Sequence, residues 1–195
     1  MRVFMAMCAW SLAAQAITDA ERQRALAELA ASRERLIASI ESLTAEQWKF
    51  KPAPDRWSAA ECVEHITATE LRILGGVMKS LAAPPSPAKF DRAKDEVILA
   101  RMPDRSTKAQ APEEIRPVGR PEFATAKSAI AAFDKARADT VQFVRETPVD
   151  LRAHGFPHFA FGELDAYQWI LLLSGHCERH RRQIEEVKAS PGWPK

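Results

Sequence analysis

Cysteine is scarce in this chain of 195 residues, with three in all, which excludes a small domain stapled by a disulfide framework. An excess of charge of one sign is missing too: 28 Lys and Arg stand against 26 Asp and Glu, and a formal net charge of +2 is too small to imply a nucleic-acid partner. Beyond the first sixteen residues, no stretch approaches the ~20 apolar residues that a membrane span needs. Strand-like runs are absent as well. What is present, 46% hydrophobic and 28% charged residues, suits one globular domain with a core of its own.

The leading residues differ from the rest. Arg2 precedes an apolar run from Val3 to Ala14, and Ala14-Gln15-Ala16 supplies small residues at the spacing of a cleavage site, so residues 1–16 read as a secretory signal peptide. The expectation is a domain over 17–195 that is periplasmic or secreted, the alternative being a cytoplasmic protein with an N-terminal extension. Cleavage would remove Cys8 and leave Cys62 and Cys177. These two form a disulfide only if their Cβ atoms come within about 4.5 Å; otherwise they are buried core thiols, or Cys62 is a metal ligand.

Four long helical segments follow from periodicity and start signals. Thr18 with Glu21 is a capping box, and Leu26, Leu29, Leu36, Ile37, Ile40 and Leu43 recur behind it at helical spacing. Thr44 with Gln47 opens a short turn carrying Trp48. Ser58 with Glu61 opens a second long helix whose stripe is Cys62, Ile66, Thr69, Ile73 and Val77. From Ser80 to Pro121, seven of the thirteen prolines accumulate. A connection of that length is a crossover or a cover over a site, with one short helix expected at Glu96–Met102. A third long helix is expected at Phe123–Glu146. A loop with His154, Gly155, Pro157, His158 and Gly162 then leads to a fourth at Leu164–Lys188. The fold class is all-α, an antiparallel four-helix bundle with a long Pro-rich crossover between its second and third helices.

Three histidines carry the chemistry. His176 and His180 are four apart and share one helix face, in positions of the last stripe where a plain bundle would have leucine; His65 sits at the edge of the second stripe. Unpartnered imidazoles are costly to bury, and one shared cation satisfies all three, leaving a fourth coordination position open. Three neutral imidazoles suit zinc, nickel or iron. A zincin-type peptidase is excluded, because it needs glutamate directly after the first histidine and Cys177 stands there.

The pairing of W-S-A-A-E-x-x-x-H at Trp57–His65 with H-x-x-R-H-x-x-Q-I at His176–Ile184 resembles the DinB superfamily of four-helix-bundle metalloenzymes, over about Ala25 to Val187. F-G-E-L-D-A-Y-Q-W, ending at Trp169, is similar to the approach to the last helix in that family. The resemblance implies a metal triad of His65, His176 and His180 and a divalent metal, zinc or nickel. It also implies thiol-dependent S-transfer or isomerisation of a small-molecule substrate, while a zinc ion with one open position, which can activate bound water or a bound thiol, allows either hydrolysis or thiol S-transfer. A non-catalytic metal-binding or stress-associated interaction protein with a structural triad is the alternative, and a homodimer is compatible with either.

Around the triad, Glu61 and Gln183 are candidates to orient a ligand imidazole, although Glu61 also serves the capping box with Ser58. Trp57, Arg179 and His158 are candidates for the substrate pocket, with His154 in the same loop as His158. Arg179 equally suits a solvated, dipole-complementing helix end. Glu70 reads as an exposed helix residue, and Glu178 should face away from the histidine pair.

Overall fold

Where the helices begin is set by short polar signatures. The computed structural model describes residues 17–107 and 110–195, so the expected signal peptide lies outside the described residues. In chain order the helices are α1 (Asp19–Ile40), α2 (Ala45–Lys49), α3 (Ala59–Leu81), α4 (Lys94–Arg101), α5 (Ala126–Glu146) and α6 (Ala166–Lys188). Five of the six open on a reciprocal capping box, formed by Thr18 with Glu21, Thr44 with Gln47, Ser58 with Glu61, Thr125 with Ser128, and Asp165 with Gln168. Each box satisfies amides that the first turn leaves without helical partners. Only α4 starts without a side-chain cap.

The molecule is an all-α bundle of α1, α3, α5 and α6, with the long crossover between α3 and α5 as expected. Its pairing refines the antiparallel expectation. Arg33 on α1 meets Asp134 on α5 at 2.7 Å, and Arg22 near the start of α1 reaches the carbonyls of Val144 and Thr147 at the end of α5, so these two helices are antiparallel. By contrast, the Tyr167 hydroxyl donates to Glu21 O at 2.9 Å, and Lys188 donates to Ser39 O at 3.0 Å, so α1 and α6 run parallel. α3 packs between α5 and α6, and His154, shortly before α6, meets Ser80 O at the end of α3, so α3 runs antiparallel to α6 and the four helices run up, down, down, up. The crossover therefore links two parallel neighbours, which is why it must be long.

The absence of strands does not hold. Gly155–His158 (β1) pairs antiparallel with Gly162–Asp165 (β2), Gly155 opposite Asp165 and His158 opposite Gly162. Four-residue strands containing Pro157 leave too little alternation to detect. Glycine is required at 155, since a Cβ there would lie 2.1 Å from Leu164 O. Gly175 on α6 has a similar role, because a Cβ would come within 2.8 Å of Met102 Cβ just past α4. It lets the crossover's helix lie against α6 one residue before His176.

Two apolar clusters fill the bundle, one around Ile98, Leu164 and Ile170, the other around Trp48, Ile66 and Phe133. Charge is buried with them. Arg137 meets Glu70 at 2.9 Å with both side chains almost inaccessible, and it also donates to Leu29 O and Ser32 Oγ. Glu70, expected on the surface, is thus part of the core: its helix face turns toward α5, where Arg137 neutralises it. A second node gathers Glu21, Asp95 and Asp165 around Arg152, whose guanidinium also lies 4.0 Å from the Tyr167 ring centroid. It ties α1, α4 and the start of α6 together. Cys62 and Cys177 are free, buried core thiols; burial pushes both up, Cys177 to about 12. No helix among the described residues is long and apolar enough to cross a membrane.

Candidate metal centre

His65 lies in the second turn of α3, while His176 and His180 lie one turn apart on α6, the helix packed against it. One ring nitrogen from each of the three comes within 4.8 Å of the others. His65 Nε2 is 3.1 Å from His176 Nε2, and the ring centroids are 4.5–4.9 Å apart. A tetrahedral ion bound at ~2.0–2.1 Å would set its ligand nitrogens roughly 3.3 Å apart, so the donor set fits such an ion.

Partners on the far side of two rings determine which nitrogen is free. His65 Nδ1 lies 2.8 Å from Ile115 O. A carbonyl only accepts, so the proton is on Nδ1 and the lone pair on Nε2. His180 Nδ1 lies 2.9 Å from Gln183 Oε1, and that same oxygen accepts from Arg105 Nη1 at 3.2 Å. Arginine only donates, which identifies this amide atom as oxygen and makes His180 Nδ1 the donor. Arg105 is held in turn by both oxygens of Glu186, at 2.6 and 2.9 Å. Glu186, Arg105, Gln183 and His180 form one chain that presents an unprotonated Nε2, as metal-ligating histidines require.

Burial keeps the rings in the neutral, ligating form. Desolvation is the leading cause that lowers His65, against the contact with Ile115, and it lowers His176 and His180 well below the ordinary histidine range, helped by their mutual repulsion. Trp57 closes one side: its ring stacks 5.9 Å from His180 and tilts 4.9 Å from His65.

A cavity of about 750 Å³ opens onto these rings. Of the substrate-pocket candidates, Trp57, Arg179 and His158 all line it. Arg179 is occupied with the crossover, donating to the carbonyls of Asp104 and Thr107. His158 Nδ1 accepts from the amides of Ala160 and Phe161, which leaves Nε2–H as its donor; burial lowers it to about 4. His154 is elsewhere, buried with Nδ1 3.1 Å from Ser80 O at the end of α3. Of the two candidate orienting groups, Gln183 meets a ligand ring. Glu61 has its oxygens on the Ser58 amide and on Lys51 Nζ, both at 2.8 Å.

Glu178 does turn away, toward Arg35, Arg181 and Arg182. Against the burial that would raise it, hydrogen bonds from those arginines hold it at about 2.

Sequence reasoning missed Ile115, Arg105 and Glu64. Ile115 acts through its carbonyl, which no side-chain pattern reveals, and Arg105 lies in the crossover without periodic context. Glu64, buried beside His65, accepts from the amides of Val118, Gly119 and Arg120 at 2.9–3.4 Å, so adjacent residues of α3 hold the crossover at two points. A charged residue within the apolar stretch of α3 was the available signal.

Fold and site together define a four-helix-bundle protein with a three-histidine centre at the foot of a cavity. The model of the DinB superfamily matches residues 28–184, and the chain belongs to that superfamily. Among curated proteins it is similar to the uncharacterised protein YuaE of Bacillus subtilis, 23% identical over 149 residues, which is 76% of this chain and 88% of YuaE. Among solved structures it is similar to YfiT from Bacillus subtilis, a probable metal-dependent hydrolase with an unusual four-helix bundle topology. That likeness has a TM-score of 0.59 at 14% identity and covers 92% of each chain.

Proposed function

We propose that this protein is a metal-dependent hydrolase that holds a divalent ion, zinc or nickel, on His65, His176 and His180 and acts on a small molecule in the adjoining cavity. The observation that carries the reading is the fixing of His65 by Ile115 O and of His180 by Gln183, which leaves unprotonated nitrogens facing one point. When bound, such an ion supplies Lewis-acid activation of water or substrate near neutral pH. Trp57 screens the ligand rings from solvent, Gln183 and Arg105 keep His180 oriented, and His158 offers an Nε2–H donor to a substrate atom.

A structural triad would need a fourth protein ligand. Among the described residues, neither Cys62 nor His158 joins the cluster of three. YfiT supports hydrolysis by its description. Export, if the leader functions as expected, favours hydrolysis over thiol S-transfer, because low-molecular-weight thiols are mainly cytosolic.

Metal analysis of the purified chain beside His65→Ala tests the centre, and a panel of nitrophenyl esters with and without chelator tests the reaction. The expected result is stoichiometric metal in the wild type, none in the variant, and ester hydrolysis that chelator abolishes. A wild type that takes up no zinc or nickel, or a His65→Ala protein that keeps it, overturns the reading. Conjugation of small thiols without ester hydrolysis reassigns the centre to S-transfer.

A further inference from the structure

The cavity is far more cationic than the chain that builds it. Arg56, Arg72, Arg105, Arg116 and Arg179 line it against one carboxylate, Asp55, whereas the whole sequence has 28 basic residues to 26 acidic. Three of the five are engaged. Arg105 and Arg56 share Glu186, at 2.6 and 3.6 Å, and Arg179 holds carbonyls of the crossover. Arg72 and Arg116 keep open donors. Arg72 lies 3.9 Å from Glu114, with both side chains more than half exposed. Arg116 donates through Nε to Ala111 O at 3.0 Å and makes no carboxylate contact among the described residues. Arg72 thus contacts Glu114, two residues before Arg116 in the chain, and both arginines line the same cavity.

A second observation points to a ligand. Thr69 lies one turn after His65 and lines the cavity; it is 5% exposed, and its Oγ1 has no hydrogen-bond partner among the described residues. A buried hydroxyl left unpaired is costly, and rotation about χ1 would turn the Thr69 Oγ1, itself inaccessible here, toward a ligand in the cavity that the residue lines. His65, Thr69 and Arg72 follow one another along one face of α3, at i, i+4 and i+7, over a rise of roughly 10 Å.

We propose that the cavity takes a small organic anion whose carboxylate or phosphate is gripped by Arg72 and Arg116. Thr69 hydrogen-bonds a polar atom in its middle, and the opposite end reaches the histidines. The location of that last end rests on the metal-centre reading; the arginine pair and Thr69 do not. Three neutral imidazoles leave a divalent ion uncompensated, so a loaded site adds to the positive potential and disfavours amines. Guanidinium is suited to planar, charge-assisted pairing with either anion.

The test is calorimetric titration of the full chain, zinc-loaded and zinc-free, with phenylsuccinate and with its uncharged diamide. Phenylsuccinate should bind about tenfold or more tightly than the diamide in both forms. Changing Arg72→Gln together with Arg116→Gln should remove that preference, while lysine at both positions should retain part of it. Thr69→Val should weaken phenylsuccinate several-fold with an unchanged circular dichroism spectrum. Equal affinities, no measurable binding, or a preference that survives the paired glutamines overturns the proposal. A preference confined to zinc-loaded protein and indifferent to the arginines also overturns it, because the metal alone would then hold the anion. Failure of the wild type to take up zinc counts against the metal centre only, and the zinc-free titration still decides the anion site.

Discussion

At the scale of single residues, orientation of the ligand rings matters as much as their presence. Gln183→Leu removes the acceptor that holds the proton on His180 Nδ1. Metal affinity should fall about 10- to 100-fold with the bundle intact, as measured by chelator competition. Arg137→Met addresses stability instead. It leaves Glu70 buried without its cation, and urea unfolding of metal-free protein should show a loss of about 3–5 kcal/mol. Changing Glu70→Leu as well should recover much of that loss, because the unpaired charge goes with it. The neighbourhood of His176, His180 and Gln183 was legible because helical spacing alone puts them on one face, whereas His65 was suggested by the edge of the second stripe and by the motif that resembles the superfamily, not by spacing to its partners. Glu70 was misread for a related reason: spacing shows that a residue leaves the main stripe, but not that a buried arginine waits on another helix.

Among elements, legibility follows signal length. Capping boxes and stripes longer than twenty residues mark the four long helices to within a few positions, whereas the hairpin has four residues per strand and one of them is proline. Nor did the sequence reveal that the crossover supplies Ile115 and Arg105 to the centre, since a proline-rich segment carries no period to read. Its contact with α6 depends on Gly175. Gly175→Ala drives a Cβ to 2.8 Å from Met102 Cβ and should destabilise the chain by about 1–3 kcal/mol, seen as a lower urea midpoint. Because Arg105 follows α4 closely, the same change should also weaken metal binding. A loss of stability with unaltered affinity would show that the crossover's helix is not what positions Arg105.

For the whole molecule, acid sensitivity follows from histidines held neutral. His158 is lowered by burial to about 4 in the folded chain, against an ordinary 6.5. Between those values the unfolded chain takes up the proton and the folded one does not. Its contribution therefore reduces stability progressively as pH falls from about 6.5 to 4, and is fully retained above. His158→Asn should flatten that part of the curve of urea midpoint against pH for metal-free protein; a wild-type slope left intact would assign it to other groups. Metal should stabilise in proportion to its excess over Kd, and the gain should vanish in His180→Ala.

The latch on the crossover has a consequence for traffic. Ile115 O grips the His65 ring while Glu64 grips the amides of Val118, Gly119 and Arg120. Lifting this segment to admit a molecule would release the His65 ring, so entry by that side would dismantle the proposed metal centre. The turn of the β-hairpin, which also lines the cavity, makes no hydrogen bond to the three histidines among the described residues, and Phe159 there is 82% exposed. Passage is therefore expected over the hairpin turn. In amide hydrogen exchange, residues 113–120 should slow markedly when zinc is added while 158–161 continue to exchange. Bulk added at the turn should slow ligand arrival without changing how tightly it is finally held.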